Sequence, residues 1–199
     1  MQSSHTAASA VSAVSVPRRI AAASWKPVLF AVLLYLAAAA GEIPVPGTPV
    51  PITLQTFVVM LAGLMLTWRQ AASSVLLYLA AGALGLPVFA GGASTMALVG
   101  PSAGFLFGWV PGIIVIALLR GKADLATPGA AALTAGRYLL AALLGGIVVI
   151  YLFGVTVQST LTGVPVFTVT LASMGFVVGD VIKAVVAALA ASGLSKLGR

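Results

Sequence analysis

The stretch that decides the fold class of this chain is MGFVVGDVIKAVVAALAASG, residues 174–193. It matches the length of a membrane helix, which crosses the apolar core of a bilayer in about 20 residues. Its only ionisable side chains are Asp180 and Lys183, and each charge at the centre of such a helix costs roughly 2.5–3.5 kcal/mol. Three positions apart, the two share one face of the helix. We expect this face to line a solute-binding cavity; the plainer alternative is an ion pair that only closes a helix bundle.

The composition of the whole chain indicates an integral membrane protein. Of its 199 residues, 61% are hydrophobic and 7% are charged, whereas a soluble domain carries about 25% charged residues. The net charge is +7, but the Lys and Arg residues lie at the ends of apolar segments. That distribution is typical of cytoplasmic membrane loops and not of a phosphate-binding surface. We therefore expect the lipid bilayer, and no nucleic acid, as a partner.

The reactive residues that an enzyme would need are scarce. The chain has no Cys and one His, His5 in the polar N-terminal segment, so we expect no metal site and no thiolate chemistry. An enzyme embedded in the membrane usually needs His, Cys or paired carboxylates at the reacting atom. Only one carboxylate falls inside an apolar span. The sequence predicts no enzyme, no catalytic residue and no cofactor.

Hydropathy and chain breakers predict an all-α integral membrane bundle of six transmembrane helices, at about residues 28–41, 52–66, 71–86, 96–119, 130–153 and 174–193. If the sixth helix begins near Met174, Asp180 and Lys183 lie in its outer half. The two tails and the loops 67–70 and 120–129 hold eight of the ten Lys and Arg residues, and the other loops hold none. Both termini are therefore expected in the cytoplasm. We expect a poorly ordered cytoplasmic tail at residues 1–25 and one substrate-binding domain at 26–199.

The outer loops contain candidate binding groups. The segment EIPVPGTPVPITLQT, residues 42–56, has four prolines, so it cannot be an ordinary helix. It is either a rigid connector or a lid over a pocket, with Thr53 and Gln55 offering hydrogen bonds beneath it. Gly91 and Gly92 allow close approach of a ligand to the backbone, or they only form a turn.

Aromatic side chains could form the wall of that pocket, although packing is the commoner role of such residues in membrane proteins. The candidates are Tyr78, Phe89, Trp109 and Tyr151. Arg137 lies inside the fifth span. Its side chain either reaches back to the cytoplasmic interface or contributes to the cavity or to a partner surface.

Four blocks, in this order, resemble the BioY family: PVPGTPVPITLQT at 44–56, GLPVFAGG at 85–92, GPSAG at 100–104 and GDVIKA at 179–184. BioY proteins are the biotin-specific S components of energy-coupling factor (ECF) transporters. The resemblance implies a multi-pass protein of the bacterial inner membrane that captures biotin from outside. It also implies two kinds of partner, an ECF coupling transmembrane subunit and two ABC ATPase subunits. The alternative is an S component for another small carboxylated vitamin.

The resemblance also implies roles for individual residues. Asp180 would accept hydrogen bonds from the ureido N–H groups of biotin, and Lys183 would bind either the carboxylate or the ureido carbonyl. Some relatives carry a basic residue near the Gly-Gly turn, where this chain has Ala93-Ser94-Thr95. Ser94, Thr95 or Ser102 are therefore candidates for the carboxylate. The Ala-x-x-x-Ala docking pattern of S components is weak here, because Ala31 is followed at that spacing by Tyr35.

Overall fold

The computed structural model of this chain describes the backbone of residues 15–197 and the side chains of residues 25–194. Its helices are α1 (Ser15–Ala39), α2 (Gln55–Met65), α3 (Trp68–Ala83), α4 (Ala103–Leu119), α5 (Pro128–Leu143), α6 (Ile150–Thr162) and α7 (Val166–Leu197). A π-helical segment, Leu144–Val149, joins α5 to α6. The two helices thereby form one continuous helix, Pro128–Thr162.

The predicted helical bundle is confirmed, with α5 and α6 together taking the place of the fifth span. By length and composition, Pro128–Thr162 and Val166–Leu194 can each cross a membrane. The segments Trp25–Ala39, Gln55–Met65 and Ala103–Leu119 are shorter apolar helices. Residues 1–14 of the predicted tail lie outside the described residues. Helix α1 runs without a break across the predicted boundary at residue 25.

The last two helices are longer than the hydropathy pattern predicts. Only residues 163–165 separate α6 from α7, so the expected loop 154–173 is mostly helical. The hydroxyl groups of Thr156 and Thr162 donate to helix carbonyls four residues earlier, at 2.6 and 2.7 Å. These polar residues lower the hydropathy without leaving a hydrogen-bonding group unpaired. The expected start near Met174 is wrong, because α7 begins at Val166, and the longer helix places Asp180 and Lys183 near its middle.

A two-stranded hairpin interrupts the helical fold and encloses the Pro-rich segment. Strand β1 (Glu42–Ile43) pairs antiparallel with β2 (Ile52–Thr53), and Glu42 lies opposite Thr53. Within the connection, the backbone N–H of Val50 donates to the Thr48 hydroxyl at 3.2 Å. Because its ends are paired, the Pro-rich segment folds back and both of its ends lie next to the start of α2.

Glycines allow α4 to pack closely against the long α5–α6 helix. A Cβ atom at Gly112 would lie 2.6 Å from the carbonyl oxygen of Gly145, and one at Gly104 would lie 2.5 Å from that of Phe153. Real Cβ atoms do not approach so closely, so both positions require glycine. Small residues at such positions let membrane helices approach one another closely. This contact fixes α6, which carries Tyr151, against the centre of the bundle.

The Arg137 side chain binds the backbone of the loop between α4 and α5. Its Nε donates to the carbonyl oxygen of Arg120 at 2.6 Å, and its Nη2 donates to that of Lys122. Gly121, between them, has a φ of 61°, and a Cβ there would lie 2.9 Å from the guanidinium carbon of Arg137. The side chain therefore points to the loop, and it is absent from the lining of the cavity described below.

We expect Arg137→Met to lower the free energy of unfolding by about 1–3 kcal/mol, because two carbonyl groups lose a charged donor. Ligand affinity should stay unchanged. Thermal unfolding of the purified protein in detergent measures the first effect. Lys122→Met is the matched control, because its exposed side chain should contribute less than about 0.5 kcal/mol. Equal destabilisation by the two variants would contradict this role of Arg137.

Candidate binding cavity

A cavity of about 590 Å³ lies between the Pro-rich segment, the first half of α4, the start of α6 and the middle of α7. Its volume falls within the usual range for small-molecule sites, about 300–1,000 Å³. Asp180, Phe105 and Trp109 line its closed end and are buried, whereas Glu42, Gly91 and Met96 line the other end and are exposed. The cavity therefore has a buried floor and an open mouth.

The floor is built around the ion pair of α7. The side chains of Asp180 and Lys183 are 5% and 12% exposed, and Lys183 Nζ lies 2.9 Å from Asp180 Oδ1. Lys183 also donates to the Thr53 carbonyl at 2.7 Å and to the Thr56 hydroxyl at 2.9 Å. All three ammonium protons are thus bonded to protein oxygens. A ligand acceptor can reach Lys183 only by replacing or sharing one of these bonds.

The Asp180 carboxylate accepts hydrogen bonds from both sides. The Thr56 hydroxyl donates to Oδ1 at 2.9 Å, and the Tyr151 hydroxyl donates to Oδ2 at 2.8 Å. Oδ2 therefore has one protein donor and a lone pair left for another. Asp180 and Lys183 bond to each other, as expected if the ion pair only closes the helix bundle. They also line a cavity, as expected if they bind a solute.

A second polar group comes from the start of α2. Gln55 is 3% exposed, and its Nε2 donates to the Tyr78 hydroxyl at 2.5 Å. The Tyr78 hydroxyl in turn donates to the carbonyl of Val88 at 2.7 Å, and the Thr53 hydroxyl donates to Gln55 Oε1 at 3.2 Å. Tyr78 does not line the cavity. It lies behind Gln55 and holds that side chain in position.

Aromatic rings form the wall above the floor. Phe105, Tyr151 and Phe176 pack edge to face, with centroids 6.0–6.3 Å apart. Phe89 and Trp109 also line the cavity, and both pack on Tyr78. The buried indole N–H of Trp109 has no acceptor among the described residues. The result is an apolar space that a ring can enter, above a polar floor.

Most of the predicted site residues meet at this cavity. Seven line it: Asp180, Lys183, Gln55, Thr53, Phe89, Gly91 and Tyr151. Gly92 and Ser94 do not, although Ala93 between them does. Of the other hydroxyl candidates, Ser102 lines the cavity, whereas Thr95 instead bonds to the carbonyl of Gly82 at 3.3 Å.

Sequence reasoning missed Thr56, Phe105 and Phe176 as lining residues. Phe176 lies four residues before Asp180, a spacing that places both on one helix face and could have identified it. Thr56 directly follows Gln55 in the quoted segment, but nothing in the sequence indicates that its hydroxyl bonds to both charges. Within the described part of the chain, no three His, Cys, Asp or Glu side chains cluster in a way that could hold a metal ion.

Comparison with known proteins agrees with this geometry. A sequence profile of the BioY family matches residues 8–199. A biotin transporter BioY from Rhizobium etli is 42% identical over 163 residues, which cover 81% of this chain and 86% of the relative. A biotin transporter BioY from Rhodobacter capsulatus is 37% identical over 82% of this chain and 87% of its own.

The fold also resembles a solved structure, the S-component for biotin from an ECF-type ABC transporter. The superposition has a TM-score of 0.80 at 25% sequence identity. It covers 92% of this chain and 95% of the other. The likeness therefore extends over nearly the whole chain.

Proposed function

Because this chain belongs to the BioY family, we propose that it is the biotin-binding membrane subunit, the S component, of an ECF-type vitamin transporter. Membership in this family makes it a transport component and not an enzyme. The observation that supports this proposal most directly is the ion pair on the cavity floor. There the Asp180 carboxylate is a hydrogen-bond acceptor, and the Lys183 ammonium group, 2.9 Å away, is a donor. Biotin is the transported ligand, and no cofactor is involved.

The ureido group of biotin matches this floor. It presents N–H donors next to a carbonyl acceptor, so one group can donate to Asp180 and accept from Lys183. Hydrogen bonds to ionised groups are among the strong ones. A ligand carboxylate in the same place would lie beside the Asp180 carboxylate, and the two like charges would repel each other. Of the two roles considered for Lys183, the geometry supports the ureido carbonyl.

The remaining parts of biotin fit the rest of the cavity. The apolar bicycle would pack among the rings of Phe105, Tyr151 and Phe176, and the aliphatic chain would run towards the mouth. Its carboxylate would then lie near Ser102, Gly91 and Ala93, which line that side. The Pro-rich segment would act as a lid over the bound vitamin.

Delivery of biotin inward requires an energy source that this chain lacks. Its sequence has no Gly-x-x-x-x-Gly-Lys-[Ser/Thr] loop for a nucleotide. We propose an ECF coupling transmembrane subunit and two ABC ATPase subunits as partners. The distribution of Lys and Arg supports a multi-pass protein of the bacterial inner membrane, with both termini in the cytoplasm.

Binding of radiolabelled biotin to the purified full chain in detergent tests this proposal. We expect saturable binding of one biotin per chain. Unlabelled biotin should displace the label, and thiamine, riboflavin and pantothenate should not. An absence of saturable biotin binding would contradict the proposal. Equal displacement by pantothenate would favour an S component for another small carboxylated vitamin.

A further inference from the structure

Glu42 places a carboxylate at the mouth of the cavity. It is the first residue of β1 and lies opposite Thr53, the residue whose carbonyl binds Lys183. Its carboxylate lies over the turn at Gly91, where a Cβ atom would be 3.2 Å from Oε1. Glu42 and Gly91 both line the cavity, and both are exposed. A ligand that fills the mouth would therefore lie close to this carboxylate.

The side chains that line the cavity carry more negative than positive charge. Its charged lining residues are Glu42, Asp180 and Lys183, two acids and one base. Lys183 is engaged by Asp180 and by two neutral oxygens. Among the described residues Glu42 has no ion-pair partner, and the ion pair that lines the cavity is Asp180–Lys183 on α7. The mouth thus carries an unbalanced negative charge, and no basic side chain of residues 25–194 lines it.

We infer that Glu42 is a specificity-determining residue that disfavours ligands with a carboxylate at the end of the chain and favours neutral or cationic ends. This inference rests on the proposed function, because it requires the ureido group on the floor and the chain pointing to the mouth. Two unit charges of the same sign repel even near a surface. Biotin remains the proposed transported ligand, and Glu42 raises the affinity for biotin amides, above all those that carry an amine, relative to the affinity for biotin.

Competition against labelled biotin with three ligands tests the inference on the purified full chain. The ligands are biotin, biotinamide, and N-(2-aminoethyl)biotinamide, which end in an anion, a neutral group and a cation. In Glu42→Gln we expect the affinity for biotin to rise about three- to tenfold. The affinity for biotinamide should change less than about twofold, and the affinity for the cationic amide should fall by about three- to tenfold.

Asp124→Asn is the matched control. Asp124 is exposed, accepts from the backbone N–H of Ala126 at 3.1 Å and does not line the cavity. This variant removes the same charge from the protein, and it should leave all three affinities unchanged. If Glu42→Gln leaves the ratio of biotin to biotinamide affinity unchanged, or weakens all three ligands alike, the inference is overturned.

A salt series on the unmodified protein gives an independent test that needs no variant. Raising the ionic strength from about 0.01 M to about 1 M shortens the Debye length from about 30 Å to about 3 Å. The preference for the cationic amide over biotin should shrink across this range, and a constant preference would overturn the inference. If the unmodified protein binds none of the three ligands, the proposed function fails as well. Normal biotin binding with constant ratios contradicts only the role of Glu42.

Discussion

We expect Lys183→Met to abolish high-affinity biotin binding and to lower the free energy of unfolding by about 3–5 kcal/mol, the usual cost of removing one partner of a buried ion pair. The variant leaves the Asp180 carboxylate with only its two hydroxyl donors, from Thr56 and Tyr151. The carbonyl of Thr53 also loses its donor. Loss of one charged hydrogen bond to the ligand, together with the altered floor, should weaken binding by at least about 100-fold. Thermal unfolding in detergent and biotin titration measure the two effects.

The double variant Asp180→Asn/Lys183→Met separates binding from stability. Removing both charges leaves no uncompensated carboxylate, so most of the lost stability should return. Biotin binding should not return, because neither ionised partner of the ureido group remains. A double variant that binds biotin with the affinity of the unmodified protein would show that the pair only closes the bundle. Asp180→Asn alone should also lose high-affinity binding.

Gly112→Ala is expected to destabilise the bundle by about 1–3 kcal/mol or more. The new methyl group would lie 2.6 Å from the carbonyl oxygen of Gly145 and 2.8 Å from the Ile150 side chain. Backbone atoms cannot rotate away as a flexible side chain can, so α4 and α6 must separate. Because Tyr151 follows Ile150, the cavity should widen at its floor. A lower unfolding temperature, together with weaker biotin binding, would measure this effect.

Gly136→Ala is the matched control for this helix contact. It makes the same substitution within α5, at a position with no atom within 4 Å of the new methyl group. Alanine is the better helix former, so the variant should keep or raise stability, by up to about 1 kcal/mol. If Gly112→Ala and Gly136→Ala have equal effects, close packing at Gly112 is not what holds α4 against α6.

The sequence was sufficient to predict that the chain folds as a bundle of apolar helices and which residues lie at the centre of the site. Long apolar segments separated by Pro, Gly and basic residues predict membrane helices, and the bundle follows this pattern. Asp180 and Lys183 were identifiable because charges in an apolar helix are costly, and they do lie together on the cavity floor. Gln55 was identifiable as a hydrogen-bonding group and Tyr151 as an aromatic wall residue, although the hydrogen bond from Tyr151 to Asp180 was not expected.

The remaining features depend on contacts between distant parts of the chain. The start of α7 was misplaced because the hydroxyl groups of Thr170 and Ser173 bond to carbonyls of that same helix, which hydropathy does not register. The hairpin pairs two-residue strands across a Pro-rich segment, too short for an alternating pattern. Tyr78 was grouped with the wall residues, yet it contacts Gln55 from behind. Only the fold reveals which side of Gln55 faces the cavity.

The π-helical segment Leu144–Val149 has a geometric consequence for the floor. A π turn contains one residue more than an α turn, and each residue of an α-helix turns the chain by about 100°. Shortening this segment by one residue would therefore rotate every side chain of α6 by about a quarter of a circle relative to α5. Tyr151, which lies just beyond this segment, would then lose its hydrogen bond to Asp180. The extra residue of the π turn therefore sets the rotation of α6 that directs the Tyr151 hydroxyl at the Asp180 carboxylate.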